Sequence, residues 1–191
     1  EVQDSTLKGH WKFDEAEGEV ASDSADEHHG TITGTPVWQP ASGAVGGALE
    51  LDGATSVATE FVLNPQGGPF SVLAWIKGGG SGQAIISQQA GANWLALDPT
   101  TGALMTELRS GGRTSTVLSS EAIIADGNWH RVGFTWDHPV RKLYVDGALV
   151  AEDADVGLAE CYGGLNLGCG STMAPATFFT GLIDDVRIYN R

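Results

Sequence analysis

Short alternations of apolar and polar residues run along the chain, and turns rich in Gly, Asp, Asn and Pro separate them. The alternation is clearest near the end, in residues 182–189, and successive side chains of a strand point to opposite faces. The two faces predicted for this segment are Leu182, Asp184, Val186 and Ile188 on one side, and Ile183, Asp185, Arg187 and Tyr189 on the other. We expect this strand to pair beside the strand predicted at residues 7–14 and to close the domain.

A β-hairpin is predicted in the second half of the chain. Asp146-Gly147 separates two alternating runs, residues 142–145 and 148–151. Asp-Gly favours a two-residue hairpin turn because Gly adopts a positive φ at no steric cost.

The fold class follows from these short segments. The chain has 191 residues, 27 of them Gly, with no break in composition and no clear helical periodicity. Short strands between turn residues favour a sandwich or a barrel. We therefore predict one all-β domain over residues 1–191, and we expect it to be one domain of a larger protein.

The charge balance is strongly acidic. The chain carries 24 Asp and Glu against 10 Lys and Arg, a formal net charge of −14. No basic stripe is visible, so nucleic acid is not expected as a partner. No apolar run approaches the length that spans a bilayer, so membrane insertion is not expected either.

Two cysteines, Cys161 and Cys169, leave two alternatives open. A disulfide requires the chain between them to turn, and Gly163-Gly164 offers such a turn. Two separate thiols are the other alternative.

Six motifs occur in a fixed order along the chain. They are W-x-F at residue 11, G-G-A-L-x-L-D-G at 46, F-S-V-x-A-W-I at 70, N-W-H-R-V-x-F-T at 128, L-Y-V-D-G at 143 and G-x-I-D-D-V-R-I-Y-N-R at 181. In this order they resemble the laminin-G-like domains of the concanavalin A-like lectin/glucanase superfamily. The resemblance implies a two-sheet antiparallel jelly roll with one concave face. It also implies a binding module of secreted or cell-surface proteins.

The same superfamily includes glycosidases, whose catalytic acids follow a recognisable pattern. Lichenase-type members carry E-x-D-x-E on one strand of the concave face. The nearest pattern here, Glu15, Glu17 and Glu19, lacks the central Asp, contains Gly18 and lies in a polar loop. The acids at residues 152–155 have the wrong order. We therefore predict no catalytic residue.

Sugar binding requires an exposed aromatic platform with polar side chains beside it. Trp94 is the best candidate, because it follows Asn93 in a predicted strand and Arg109 lies on the next strand. The alternative is that Trp94 packs inward. The leading hypothesis is a non-catalytic extracellular or cell-surface module that binds carbohydrate or glycoprotein. A protein–protein or structural module comes second, and a glycoside hydrolase third.

A structural calcium ion is also expected. A carboxylate at Asp184 on an apolar face is costly unless a cation meets it. The loop after the first strand offers Asp14 and Asp23 as oxygen ligands of the kind that calcium prefers. The last strand resembles the D-x-V-R-V-Y strand of lichenase-type relatives, and this resemblance implies that Asp184 binds calcium with backbone carbonyls near Gly46-Gly47. An ion pair between Asp184 and an arginine is the alternative.

Overall fold

The computed structural model describes residues 4–111 and 115–191, and these residues form an almost entirely β structure. Two single 3₁₀ turns, Pro65–Gly67 and Pro175–Thr177, are the helical elements of this part of the chain. The strands in chain order are β1 (Leu7–Trp11), β2 (Val20–Ala21), β3 (Gly30–Thr33), β4 (Val37–Gln39), β5 (Ala48–Asp52), β6 (Ser56–Ala58), β7 (Phe70–Gly78), β8 (Ala84–Gln88), β9 (Asn93–Leu97), β10 (Ala103–Thr106), β11 (Leu118–Ile123), β12 (Trp129–Asp137), β13 (Val140–Val145), β14 (Ala148–Ala154), β15 (Leu165–Leu167) and β16 (Thr180–Tyr189).

The strands form two antiparallel sheets that enclose one main hydrophobic core. The first sheet has the order β14-β13-β12-β7-β16-β5-β4, with β1 also paired to β16. The second has the order β11-β10-β9-β8-β15-β6-β3-β2. Side chains from both sheets fill the core, among them Trp11, Phe70, Trp94, Phe134 and Phe179. The prediction of an all-β, two-sheet antiparallel sandwich is confirmed.

Strand β16 has three partners. One edge pairs with β7, and the other pairs first with β5 and then with β1. The two ends of the described chain meet beside this ladder, where Asn190 N–H donates to the Thr6 carbonyl at 2.9 Å. The prediction that the last strand pairs beside the first is confirmed.

The faces predicted for β16 are wrong because the strand contains a bulge. Its register with β7 shifts between Asp184 and Arg187, and Asp185 has a φ of 46°. One extra residue reverses the alternation from that point on. Ile183, Val186 and Ile188 therefore all lie in the core, a combination that the strict two-residue period does not allow.

Two further segments test the sequence pattern. The predicted hairpin is confirmed, since β13 and β14 pair with Val145 opposite Ala148, and both Asp146 and Gly147 have positive φ. The second segment, residues 30–39, forms two strands. The chain turns at Gly34, whose φ is 106°, so β3 lies in the second sheet and β4 in the first.

Candidate functional site

Asp184 lies in the bulge of β16 beneath the turn at residues 43–47. Its side chain is fully buried, and its Oδ2 accepts the Val45 N–H at 2.8 Å. Its Oδ1 is also buried and has no hydrogen-bond partner among the described residues. Burial raises the pKa of this carboxyl to about 6, although the Val45 N–H acts in the opposite direction.

Asp14 approaches the same turn. The Gly47 N–H donates to Asp14 Oδ1 at 2.7 Å. The turn requires glycine, since a Cβ on Gly43 would lie 1.9 Å from the Gly47 carbonyl oxygen and one on Gly46 would lie 2.4 Å from Asp14 Oδ1. Two of the three acids predicted to bind calcium therefore contact one glycine-rich turn.

The third acid, Asp23, belongs to a different cluster. It is buried, and its Oδ1 accepts the N–H groups of His10 at 2.7 Å and Ala25 at 2.9 Å. Its Oδ2 accepts the N–H groups of Asp26 and His28. Asp23 thus organises the loop between β2 and β3, and this role accounts for its burial.

Asp185 contacts two basic side chains, whereas Asp184 contacts none among the described residues. His10 Nε2 lies 2.7 Å from Asp185 Oδ1, and Arg187 Nη2 lies 2.9 Å from the same oxygen. Burial raises the pKa of Asp185, but these two partners outweigh it and the pKa lies below the ordinary value. The ion pair considered for Asp184 with Arg187 is therefore made by its neighbour.

Within the described residues, no group of three or more His, Cys, Asp and Glu side chains is arranged to hold a metal. A cation beside Asp184 would accordingly depend on two carboxylates and on backbone carbonyls. Calcium accepts such a set, because it takes six to eight oxygen ligands, including carbonyl oxygens and water.

Trp94 is not an exposed platform, and that prediction is wrong. Its side chain is fully buried, and its ring centroid lies 5.2 Å from that of Phe70 in the core. The register of β8 with β9 shifts so that Ile86 pairs with Leu95 and Ser87 with Asn93, which leaves Trp94 without an opposite residue. This irregularity turns the indole inward.

Arg109 does lie at an open cleft, with a volume of about 400 Å³. Three segments form its walls: the turn between β8 and β9, residues 107–111, and residues 159–161. Arg109 is exposed, Glu160 is exposed and Glu107 is half-buried, so one cation and two acids share the cleft. The backbone holds the walls together, since Ala159 N–H donates to the Arg109 carbonyl at 2.9 Å.

Gln88 lines this cleft and was not identified from the sequence. Its side chain is fully buried at the end of β8, and its Nε2 donates to the carbonyl oxygens of Leu63 at 3.1 Å, Cys161 at 3.3 Å and Gly163 at 2.9 Å. Its Oε1 has no hydrogen-bond partner among the described residues. A polar residue at the end of the apolar run A-I-I-S-Q was the signal available in the sequence.

An exposed aromatic pair lies next to the cleft. Phe61 is 41% exposed and Tyr162 is 66% exposed, and their ring centroids are 5.9 Å apart. The pair adjoins the cleft because Tyr162 directly follows the wall residues Glu160 and Cys161. A second depression of about 350 Å³ lies against Phe61. Sequence analysis missed this pair because the two residues are 101 positions apart and lie outside the strands.

Arg141 fixes the segment that carries Arg109. Its guanidinium is buried, and it donates to the carbonyl oxygens of Leu108 at 2.6 Å and Thr116 at 3.1 Å. It also forms ion pairs with Asp153 and Asp155. The backbone on both sides of the Arg109 segment is therefore bound to one buried cation.

Two of the acids considered for catalysis, Asp155 and Glu15, have structural partners. Burial raises the pKa of Asp155, but hydrogen bonds from Ser115 and Ser110 and the charge of Arg141 outweigh it, so the pKa lies below the ordinary value. Glu15 Oε1 accepts the Ser22 N–H at 2.7 Å, and Glu17 and Glu19 are exposed in the same loop.

Cys161 and Cys169 are separate thiols. None of the described helical segments is long and apolar enough to cross a membrane.

A family model described as the concanavalin A-like lectin/glucanases superfamily matches residues 51–191. A comparison with curated proteins returns no match. Among solved structures, the chain is similar to domain 4 of a GH43 extracellular arabinanase from Geobacillus stearothermophilus in complex with arabinotriose. The TM-score is 0.73 and the identity 24%, over 97% of this chain and 92% of that one.

Two further likenesses cover only part of the other chain. The binding domain of a paraclostridial mosquitocidal protein matches with a TM-score of 0.77 and 12% identity, over 97% of this chain and 49% of that one. A sialidase of Trypanosoma rangeli in complex with an inhibitor matches with a TM-score of 0.66 and 16% identity, over 97% of this chain and 30% of that one. The jelly-roll sandwich is confirmed. The similar structures include a binding domain and a sialidase.

Proposed function

This chain belongs to the concanavalin A-like lectin/glucanases superfamily, and from that membership we propose that it is a non-catalytic carbohydrate-binding domain. The observation that carries the proposal is the likeness to the arabinanase domain in complex with arabinotriose, which extends over nearly the full length of both chains. A fold does not by itself fix a function, because the side chains on its surface determine what binds and where.

The absence of catalysis is proposed from the pKa values and the burial of the candidate acids. A glycosidase requires a carboxyl group whose raised pKa lets it act as a general acid near neutral pH. Asp155 has a lowered pKa and, with Asp153, binds Arg141. Asp184 has a raised pKa, but its carboxyl is buried beneath the glycine-rich turn, where no sugar can reach it.

The setting proposed for this domain is extracellular, as one domain of a larger protein. The likeness to a domain of an extracellular arabinanase and to a toxin binding domain supports this setting. A surface of net charge −14 also suits a domain that remains soluble outside the cell.

The test is a glycan array with the isolated chain, together with an assay for new reducing ends. We expect binding to neutral oligosaccharides and no hydrolysis. Binding to no glycan would favour a protein–protein or structural module. Release of reducing ends that disappears in Glu17→Gln would show an enzyme instead.

The proposal includes a structural calcium ion held by Asp184 and Asp14. The unpartnered, buried Asp184 Oδ1 supports it, because a bound cation removes the cost of burying that oxygen. The turn at residues 43–47 brings backbone groups to both acids. The ion would connect the last strand, the turn and the segment after β1.

Thermal melting tests the ion. We expect the melting temperature to fall in EDTA and to recover with calcium, since a ligand at 100 times its dissociation constant stabilises the folded state by about 2.7 kcal/mol. Magnesium at the same concentration is the control, because it demands a stricter octahedral site. Equal melting temperatures with EDTA, calcium and magnesium would exclude the ion.

A further inference from the structure

We propose that the cleft at Gln88 and Arg109, together with the Phe61–Tyr162 pair beside it, is the sugar site, and that its ligand is an uncharged oligosaccharide. This inference rests on the proposed function and specifies where the sugar binds and which class of sugar it is. The cleft volume of about 400 Å³ lies within the range of roughly 300–1,000 Å³ typical of small-molecule sites.

Gln88 holds the wall of the cleft from inside the protein. Three carbonyl acceptors occupy the amide nitrogen, so the orientation of the amide is fixed and its oxygen remains an acceptor. Leaving a buried acceptor without a donor costs about 1–3 kcal/mol. Because Oε1 is itself buried, a ligand in the cleft does not reach it, and the role of Gln88 is to fix the wall segments that its amide nitrogen binds.

The charged groups of the cleft suit hydroxyl groups better than ions. Arg109 only donates hydrogen bonds, while Glu107 and Glu160 only accept them when ionised. A sugar hydroxyl both donates and accepts, so neighbouring hydroxyls can bind an arginine and a carboxylate at once. The Arg109 Nη1 has one long contact, 3.4 Å to the Ser115 carbonyl, which leaves donors for a ligand.

The aromatic pair supplies the apolar half of the site. One face of a pyranose or furanose ring presents C–H groups, and these pack on the electron-rich face of an aromatic ring. Exposed apolar patches of this kind commonly mark ligand grooves. Tyr162 also holds its ring beside the cleft through its hydroxyl, which donates to Glu160 Oε2 at 3.4 Å.

A second depression beside Phe61 favours a chain of sugars over a single one. The cleft lies against Glu160 and Cys161, and the second depression of about 350 Å³ lies against Phe61 and Asn64. Asn64 Oδ1 accepts the Cys161 N–H at 3.1 Å, so the two walls are joined. One sugar unit would rest on the aromatic pair while its neighbour enters the cleft.

The charge argues against an acidic sugar. The two acids of the cleft outnumber its one described cation, and the whole chain carries −14. A carboxylated sugar would meet like charges within a Debye length of about 8 Å at physiological salt. The site therefore fits neutral pentose or hexose oligomers.

Isothermal titration with four trisaccharides tests the inference. Arabinotriose, xylotriose and cellotriose are the neutral probes, and sialyllactose is the anionic one. We expect at least one neutral probe to bind and sialyllactose to bind more weakly. Tyr162→Ala and Arg109→Ala should each weaken the neutral sugar about tenfold, which corresponds to about 1.4 kcal/mol. Gln88→Met should weaken it as well, because it removes the three hydrogen bonds that hold the cleft wall in place.

Matched controls separate the site from general effects. Tyr162→Phe keeps the ring but loses the hydroxyl that binds Glu160, so it should weaken the sugar less than Tyr162→Ala does. Arg131→Ala removes an exposed arginine of the first sheet and Tyr144→Ala a half-buried tyrosine of β13, and neither should change the affinity. Tyr162 and Arg109 are exposed, so their variants remain informative even where Gln88→Met unfolds.

Each outcome decides the inference. If a neutral probe binds and the Tyr162 and Arg109 variants retain its affinity, the site is elsewhere and only this inference falls. If sialyllactose binds best, the ligand class is wrong. If none of the four probes binds and the glycan array is also empty, the inference and the proposed function fall together. A peptide that competes with the sugar for Tyr162 would identify the cleft as a protein-binding site.

Discussion

Two carboxylate clusters in this molecule, each built around one buried acid, differ in how that acid is neutralised. In the first, the buried guanidinium of Arg141 meets Asp153 and Asp155. In the second, Asp184 and Asp14 meet backbone N–H groups of a glycine-rich turn, and one oxygen of Asp184 has no partner in the described chain. The carboxylates of the first cluster have a cationic partner, whereas Asp184 in the second has none among the described residues.

The pKa values express this difference. Burial acts in the same direction on Asp155 and Asp184, because it disfavours the charged form of both. Hydrogen bonds and a fixed cation reverse its effect at Asp155, whereas at Asp184 burial prevails and the pKa rises to about 6. A buried acid that has no cationic partner among the described residues is suited to a cation from solution.

Arg141→Met should give the largest effect on stability. It leaves Asp155 buried without its cation, and breaking a buried pair in this way costs about 3–5 kcal/mol. Urea unfolding measures the change. Lys142→Met is the matched control, since its Nζ lies 3.9 Å from Glu152 Oε2 in an exposed pair, and such pairs contribute about 0–1 kcal/mol. Equal effects of the two variants would show that the buried cluster has no special weight.

Asp184→Asn should change stability in a direction that depends on calcium. In EDTA near neutral pH the variant should be more stable than the parent by about 1–3 kcal/mol, because a raised pKa means that the ionised acid opposes folding. This penalty is absent below the ordinary Asp pKa and grows as the pH rises through about 6. In saturating calcium the parent should be more stable than the variant. Melting curves in both conditions measure it, and a variant that is less stable in both would contradict the missing-cation account.

Ser115→Ala tests how the complete cluster is held. Its hydroxyl donates to Asp155 Oδ2, and we expect its loss to lower the free energy of unfolding by about 1 kcal/mol. Ser119→Ala removes a similar bond to the exposed Asp98, 3.2 Å long, and should have a smaller effect. The reverse order would mean that burial does not strengthen the bond.

A third cluster at the surface should give the smallest effect. His130 lies between Asp146, at 2.8 Å from Nδ1, and Asp126, at 3.0 Å from Nε2. Burial lowers the pKa of His130, but the two carboxylates outweigh it and the pKa is raised. The stability gained from the charged imidazole is thus fully present below pH 6.5 and is lost as the pH rises through the folded-state pKa. Melting of His130→Gln beside the parent across this range should show a difference that shrinks with rising pH.

These clusters also show what a sequence can and cannot predict. The hairpin at Asp146-Gly147 and the pairing of the two chain ends follow from local alternation and turn residues. The burial of Asp184 was anticipated, but for the wrong reason. Alternation placed it on the core face, whereas a bulge places it under the turn at residues 43–47.

The remaining differences come from irregular registers and distant contacts. A register shift between β8 and β9 turns Trp94 into the core, and no residue type in that segment predicts the shift. In the sequence, Arg141 is an ordinary position in an alternating strand. Its role depends on Asp155 and the Leu108 carbonyl, which only the fold brings close to it. The Phe61–Tyr162 pair likewise exists only once two loops meet.

The three-partner strand β16 has a mechanical consequence. Leu7 lies opposite Tyr189, so both ends of the described chain leave the β1–β16 ladder at the same end. A pulling force applied through these ends would load the hydrogen bonds one after another, as in opening a zipper, instead of shearing all of them together. The domain should therefore extend at low force by the length of β1, and the next resistance should come at Asp14 and its turn.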